Sequence, residues 1–222
     1  MNNITSRKNN IKVQFIDLFL DDVGSKQGNK MMGVFKCKRV PALENFIAKE
    51  YNGRIKPYIV WDTNNWLVIG YFTLITTCML IKPYETTEPE HVQEKDVEKI
   101  ISCIELEHFA LNDIYLKGLK DNKYDNKGIG NYIFNEYISD IITVLSSEIN
   151  FTYLILHAYN DLKVIEAYRR MGFETMEDDA EAIVPVLSDV RALHFDYAGD
   201  CKVMFKDVES ILAEVDRRNE YV

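Results

Sequence analysis

Asn126-Lys127-Gly128-Ile129-Gly130 stands directly in front of an apolar-periodic segment, Ile129 to Leu145. Two glycines separated by one residue let the backbone turn tightly and keep N–H groups clear of side chains. Behind them, apolar side chains at 129, 133, 137, 141 and 145 repeat with the spacing of one helix face. A helix that opens on such a turn aims its first-turn amides, and the positive end of its dipole, at an anion above them. The plainer reading is that the glycines only shape a turn. A Walker loop is excluded because no Gly-Lys-Ser or Gly-Lys-Thr follows, and a dinucleotide fingerprint fails because the third glycine is missing.

The rest of the chain gives this turn a setting. Strands are predicted over Ile11–Leu20, Tyr58–Trp61, Trp66–Thr77, Phe151–His157 and Lys202–Lys206, with Asp62 to Asn65 as a hairpin connection. Ile104–Asn112 is a further strand candidate whose charges and leucine spacing leave a helix open. Helices are predicted over Pro41–Ala48, Ile129–Ser146, Asn160–Met171 and Val208–Arg218, with Gly172 in the left-handed conformation after the third. Phe173–Met176 is read as the start of another strand, and Val184–Tyr197 is ambiguous. Glu85 to Glu98 reads equally as a solvated helix or as disorder. This is a strand–helix–strand–helix unit inside a mixed sheet.

At 222 residues, 47% of them apolar, the chain can bury a substantial core. The expectation is a polar tail over 1–10 and one domain over 11–222, with insertions at 82–99 and 113–125. Together with 82–99 the second insertion could border an acceptor groove and act as a lid, and a homodimer contact or plain surface decoration is the alternative. A net charge of −9 argues against a chain whose main work is gripping nucleic acid. Cys37, Cys78, Cys103 and Cys201 form no CxxC pair, and no histidine has metal-ligand spacing, so reduced thiols and no metal are expected. Trp66 to Ile81 runs sixteen residues without a charge, short for a bilayer span and better read as a long strand. A cytoplasmic location with no membrane partner is the corresponding expectation.

Asp125-Asn126-Lys127-Gly128-Ile129-Gly130 resembles the pyrophosphate motif of the GCN5-related N-acetyltransferase (GNAT) superfamily. That motif is Gln or Arg, two residues, Gly, any residue, then Gly or Ala. Both glycines match, while Asp125 stands where Gln or Arg is usual and would have to turn its side chain away from phosphate. Ala158-Tyr159-Asn160, Ala167-Tyr168 and Gly172-Phe173 are similar to a second segment of the superfamily. Gly70-Tyr71, after an N-terminal helix, adds a likeness to members that include toxins acting on aminoacyl-tRNA. The resemblance is clearest over Ile104 to Phe173.

The resemblance implies an α/β fold: a mixed, mostly antiparallel central sheet flanked by helices, with a splayed pair of cofactor-binding strands. It implies acetyl-coenzyme A as acetyl donor. Asn126, Lys127, Gly128, Ile129, Gly130 and Asn131 would hold its pyrophosphate. Phe109, Ala110 and Leu111 would meet the pantetheine arm, Asn160 would lie beside it, and Tyr168 would protonate the departing thiolate. Glu107, Glu105 and His108 are the candidate general bases, with loss of the amine proton to water as the alternative. In an unbroken strand Glu105 and Glu107 share one face and His108 takes the other, and a bulge near Phe109 to Leu111 would disturb that alternation. His157 is read as a structural histidine. The acceptor is expected to be a primary amine on a small molecule, peptide or protein. The alternatives are an aminoacyl-tRNA, as for the toxins, or a binding and regulatory protein without catalysis. Lys117, Lys120, Lys123, Lys127, Arg169 and Arg170 could supply the basic surface that tRNA needs.

Overall fold

The computed structural model describes residues 11–15, 35–45, 57–64, 67–81, 99–121, 128–175, 183–185 and 201–220. Asp125, Asn126, Lys127, the expected helix at 85–98 and the histidines at 91 and 194 lie outside them. In chain order the elements are β1 (Ile11–Phe15), α1 (Pro41–Asn45), β2 (Pro57–Asp62), β3 (Leu67–Ile81), β4 (Lys99–Leu111) and α2 (Asp113–Asp121). Then come α3 (Ile129–Ile133), a π-helical turn (Phe134–Ile138), α4 (Ser139–Glu148), β5 (Tyr153–Tyr159) and α5 (Leu162–Arg170). The chain closes with β6 (Glu174–Thr175), β7 (Ile183–Pro185), β8 (Cys201–Asp207) and α6 (Val208–Glu220).

Hydrogen bonding orders the strands β1-β2-β3-β4-β5-β8-β6, with β7 on β3. The β1–β2, β2–β3, β3–β7, β5–β8 and β6–β8 ladders are antiparallel and β4–β5 is parallel. This is a mixed, mostly antiparallel sheet flanked by helices, and the segment left open between strand and helix, Ile104–Asn112, is strand. The β4–β5 ladder covers Cys103–Glu105 against Tyr153–Ile155, and both strands continue past it. The connection expected over 113–125 holds a helix, α2, across Asp113–Asp121. No helix among the described residues is long and apolar enough to cross a membrane.

Contacts group the chain into two compact units, Met1–Ile75 with Leu106–Tyr137, and Thr76–Glu105 with Ile138–Val222. In the first, Phe35, Ile59, Val60, Val68, Ile69, Tyr71 and Phe72 are buried, and Tyr71 donates its hydroxyl to the Leu43 carbonyl at 2.7 Å, tying α1 to β3. Gly70 is a glycine because a Cβ there would collide with the Ala110 carbonyl oxygen. In the second, Met79, Ile101, Cys103 and Ile155 cluster with Tyr153 and Phe205. There α4 and α6 pack together, and Arg218 pairs with Asp140 across them.

The helical run departs from its sequence pattern. Spacing by fours marked 129, 133, 137, 141 and 145, but the buried residues are Ile129 and Ile133, then Phe134, Ile138 and Ile142. A π-helical turn takes in one extra residue, which moves the inward face on by one position from Phe134 onward.

Asn112, 1% exposed, closes the first unit's hydrogen bonding. Its Oδ1 accepts from the Lys36 and Ile114 amides, each at 3.1 Å, and its Nδ2 donates to the Val68 carbonyl at 2.8 Å. Its own amide reaches the Ile69 carbonyl at 2.7 Å. One side chain thus fixes the end of β4, the start of α2 and the segment before α1. Replacing it with alanine strands two donors and an acceptor in the interior. Asn112→Ala should therefore cost about 2–4 kcal/mol of stability. An unchanged urea midpoint would show that these groups find other partners.

Candidate active site

The turn before α3 is built as its glycines suggest. Gly128 has φ 83° and ψ 3°, and its carbonyl accepts from the Tyr132 amide at 2.8 Å, closing the first helical turn. Ile129 is buried and anchors the turn, while the space where a Gly128 side chain would project is open. The amides of Ile129 and Gly130 lie in the first turn of α3, where a helix leaves its N–H groups without intrahelical acceptors. Asn131 adds an oddity: its Oδ1 is sealed from solvent with no hydrogen-bond partner among the described residues. Helix-start amides beside the open side of Gly128 fit a phosphate group. Farther along, Tyr132 and Tyr137 meet edge-on at 6.0 Å, and burial together with Tyr132 pushes the Tyr137 phenol up.

The candidate bases on β4 do not follow simple alternation. Glu107 and His108 both reach Thr73: the Thr73 hydroxyl lies 2.9 Å from His108 Nδ1 and 3.4 Å from Glu107 Oε2. The His108 amide also donates to Thr73 Oγ1 at 3.1 Å. A strand amide that bonds a side-chain hydroxyl marks a local irregularity, and here it lies at Glu107–His108, just before the Phe109–Leu111 bulge expected from sequence. One proton arrangement satisfies the cluster, with His108 Nδ1–H donating to Thr73 and the Thr73 hydroxyl donating to Glu107. That makes Nε2 the basic nitrogen, but the His108 side chain is 3% exposed and out of reach of a bulky amine. Ala110 is also buried, whereas Phe109 and Leu111 are partly covered.

Glu105 takes a different partner. Its Oε1 lies 3.1 Å from His157 Nδ1, where the β4–β5 ladder ends. Its side chain is 10% exposed against 30% for His157, so the carboxylate is the buried member and the imidazole faces out. The sequence reading treated His157 as structural and missed the pair. A register of Glu105 opposite Ile155, two residues before His157, was the signal, and it needed the parallel pairing to be known.

Tyr168 is set by the end of α5. Asp161 caps the helix start, accepting from the Lys163 amide at 2.8 Å, and Asn160 is exposed just before it. At the other end the Phe173 amide bonds the Tyr168 carbonyl at 3.1 Å and the Gly172 amide bonds that of Arg169 at 3.0 Å. With Gly172 at φ 84°, this is a Schellman closure, and its usual apolar contact is Tyr168 against Phe173, edge-on at 5.8 Å. The Tyr168 residue keeps some exposed surface, but its hydroxyl sits in densely packed surroundings. Burial pushes the phenol up, and Cys201 beside it adds to the rise.

A phenol held above its usual value of 10 stays protonated through the neutral and mildly alkaline range. If Tyr168 is the acid of a reaction, ionisation of its phenol cannot produce an alkaline fall in rate below pH 10. A pH–rate profile with such a fall, retained in Tyr168→Phe, would assign the limiting acid to another group.

No family model matches the sequence, and no curated protein sequence matches it. Solved structures do match in fold. AtaTR bound with acetyl-CoA superposes with a TM-score of 0.59 at 16% identity, covering 92% of this chain and 98% of that one. The KacTA–DNA complex gives 0.55 at 17% identity over 91% and 96%. AtaT complexed with acetyl-methionyl-tRNAfMet gives 0.52 at 17% identity over 83% and 99%. The chain shares the fold of these structures, the mixed GNAT-like architecture implied by the resemblance.

Proposed function

We propose that this protein transfers the acetyl group of acetyl-CoA to the α-amine of an aminoacyl-tRNA. The observation that carries the reading is the fold likeness to AtaT and KacT, which spans more than nine-tenths of this chain in the AtaTR and KacTA matches. It revises the acceptor: the small-molecule or peptide amine favoured from net charge gives way to the charged tRNA, since the matched structures include an acetyl-methionyl-tRNA complex. A nucleic-acid partner, set aside on the charge of −9, becomes the substrate. Net charge says little about local surface, and Arg169, Arg170 and Lys163 are all exposed on α5.

In this reading the Gly128–Gly130 amides bind the pyrophosphate of acetyl-CoA and help orient the thioester. The neutral amine attacks the thioester carbonyl, forming the C–N bond. The C–S bond breaks as the tetrahedral intermediate collapses, and Tyr168 gives its proton to the leaving thiolate. The amine's extra proton passes to water, and the Tyr168 phenolate regains a proton from solvent before the next turnover. An α-amine has a pKa of roughly 7.7–8.0, against about 10.4 for lysine, and a neighbouring ester lowers it further. Much of it is neutral at physiological pH without help. That suits a chain whose candidate bases Glu105, Glu107 and His108 are each buried or already engaged.

Incubation with radiolabelled acetyl-CoA and a mixture of charged tRNAs, peptides and polyamines tests the acceptor. Label should appear in the tRNA fraction as N-acetyl-aminoacyl ester, and label confined to free amines would overturn the proposal. Charge reversal at Arg169 and Arg170 should raise KM for charged tRNA about tenfold or more and flatten its salt dependence, with KM for acetyl-CoA within about twofold.

A further inference from the structure

A buried ammonium lies behind the turn that carries Tyr168. Lys206 is on β8, opposite Leu154 of β5, and its side chain is 3% exposed. Its Nζ donates to the Met171 carbonyl at 2.8 Å and to Glu214 Oε2 of α6 at 2.6 Å. An ammonium in such a place is costly unless its donors are met, so both acceptors matter to it.

The first acceptor is the informative one. The Schellman closure of α5 uses the carbonyls of Tyr168 and Arg169 and leaves that of Met171, the C-cap residue, outside its pattern. Lys206 takes it, placing a positive charge at the negative end of the helix dipole. The fit is close. A Cβ built on Gly172 would lie 2.7 Å from Lys206 Nζ and 3.2 Å from its Cε, so the lysine stem fills the space where a side chain would project. The same turn closes on Tyr168, whose carbonyl accepts from the Met171 amide at 2.9 Å and the Phe173 amide at 3.1 Å. Phe173, 2% exposed, then packs edge-on against the Tyr168 ring.

We propose that Lys206 is a positioning residue for Tyr168, and that the Lys206–Glu214 pair holds the Met171–Phe173 turn so that the phenol keeps one orientation. The inference rests on the acetyl-transfer reading for its effect on rate, but not for its effect on the ring. Glu214, 43% exposed, is the outer end of this anchor and couples α6 to the turn. Gly172 serves two purposes here, the left-handed backbone and the room for the lysine.

Lys206→Met keeps the length and the apolar stem and removes the ammonium. In the folded variant kcat should fall about ten- to a hundredfold while KM for acetyl-CoA stays within about twofold. The double variant with Tyr168→Phe should be no slower than Tyr168→Phe alone, because an anchor that acts through the phenol has nothing further to remove. Independent, additive losses, or wild-type turnover in folded Lys206→Met, would overturn the proposal. A second readout needs no activity. With 13C-labelled tyrosine, the Tyr168 resonance, identified by its loss in Tyr168→Phe, should shift or split in Lys206→Met, and an unmoved single resonance would overturn the proposal. Should Lys206→Met fail to fold, Glu214→Gln loosens the same anchor from its exposed end and should move the same resonance in the same direction. A wild-type chain that acetylates nothing would defeat the acetyl-transfer reading, and the resonance would still decide whether Lys206 positions the ring.

Discussion

Beyond its three-residue ladder with β5, β4 is held from the β3 side, and two polar side chains there supplement the backbone bonds. Parallel pairing with β5 covers three residues of a strand that runs from Lys99 to Leu111. Past it the His108 amide takes a threonine hydroxyl, and the Asn112 amide takes the Ile69 carbonyl. A buried amide without an acceptor costs as much as several good contacts return, so these bonds are structural necessities. They also explain why Thr73 and Asn112 are polar residues in the interior. The Thr73 hydroxyl accepts a β4 amide, and the Asn112 side chain bonds the Val68 carbonyl and the amides of Lys36 and Ile114.

The regular parts of this arrangement are legible in the sequence because they depend on local pattern. Alternating and continuous apolar runs mark β2, β3 and β5. The two glycines mark the start of α3, and Gly172 with Phe173 marks the end of α5. The features that escaped are non-local. The π-helical turn at Phe134–Ile138 follows from how the helix seats against its surroundings, and no run of residues announces it. Glu105 meets His157 only because two strands 52 positions apart run parallel in one register. Glu107 and His108 would point apart in an ideal strand, and an irregularity brings them to one hydroxyl. Lys206 reads as one more polar residue in an alternating strand until the turn above it is known.

The proposed acceptor, if right, is a case in which composition misleads. Net charge sums over a whole surface, whereas association with a phosphate backbone is governed by potentials within about a Debye length, roughly 8–10 Å. An acidic chain can hold tRNA if its cations face the right way, and on the nine-residue helix α5 three exposed cations outnumber one exposed acid, Glu166, a local excess that the total conceals. The remaining acids are then background, and they discourage the indiscriminate binding that a basic surface would invite.

Basicity ties the acceptor to the rest of the site. A lysine-type amine would need a strong, accessible base, because all but a small fraction of it is protonated at neutral pH. Among the carboxylates and histidines of β4 and β5, the one group turned outward is His157, and its Nδ1 is committed to Glu105. An α-amine beside an ester asks less: water can take the proton, and the demanding step becomes departure of the thiolate. A thiol of pKa about 8.5 leaves more readily when an acid is at hand that is still protonated at the working pH. In the proposed reaction the buried Tyr168 phenol would stay protonated at the working pH, while the same upward shift makes it a more reluctant donor. Under the proposed acceptor, a site without an exposed strong base and an acid protonated at rest would both follow from one choice of substrate.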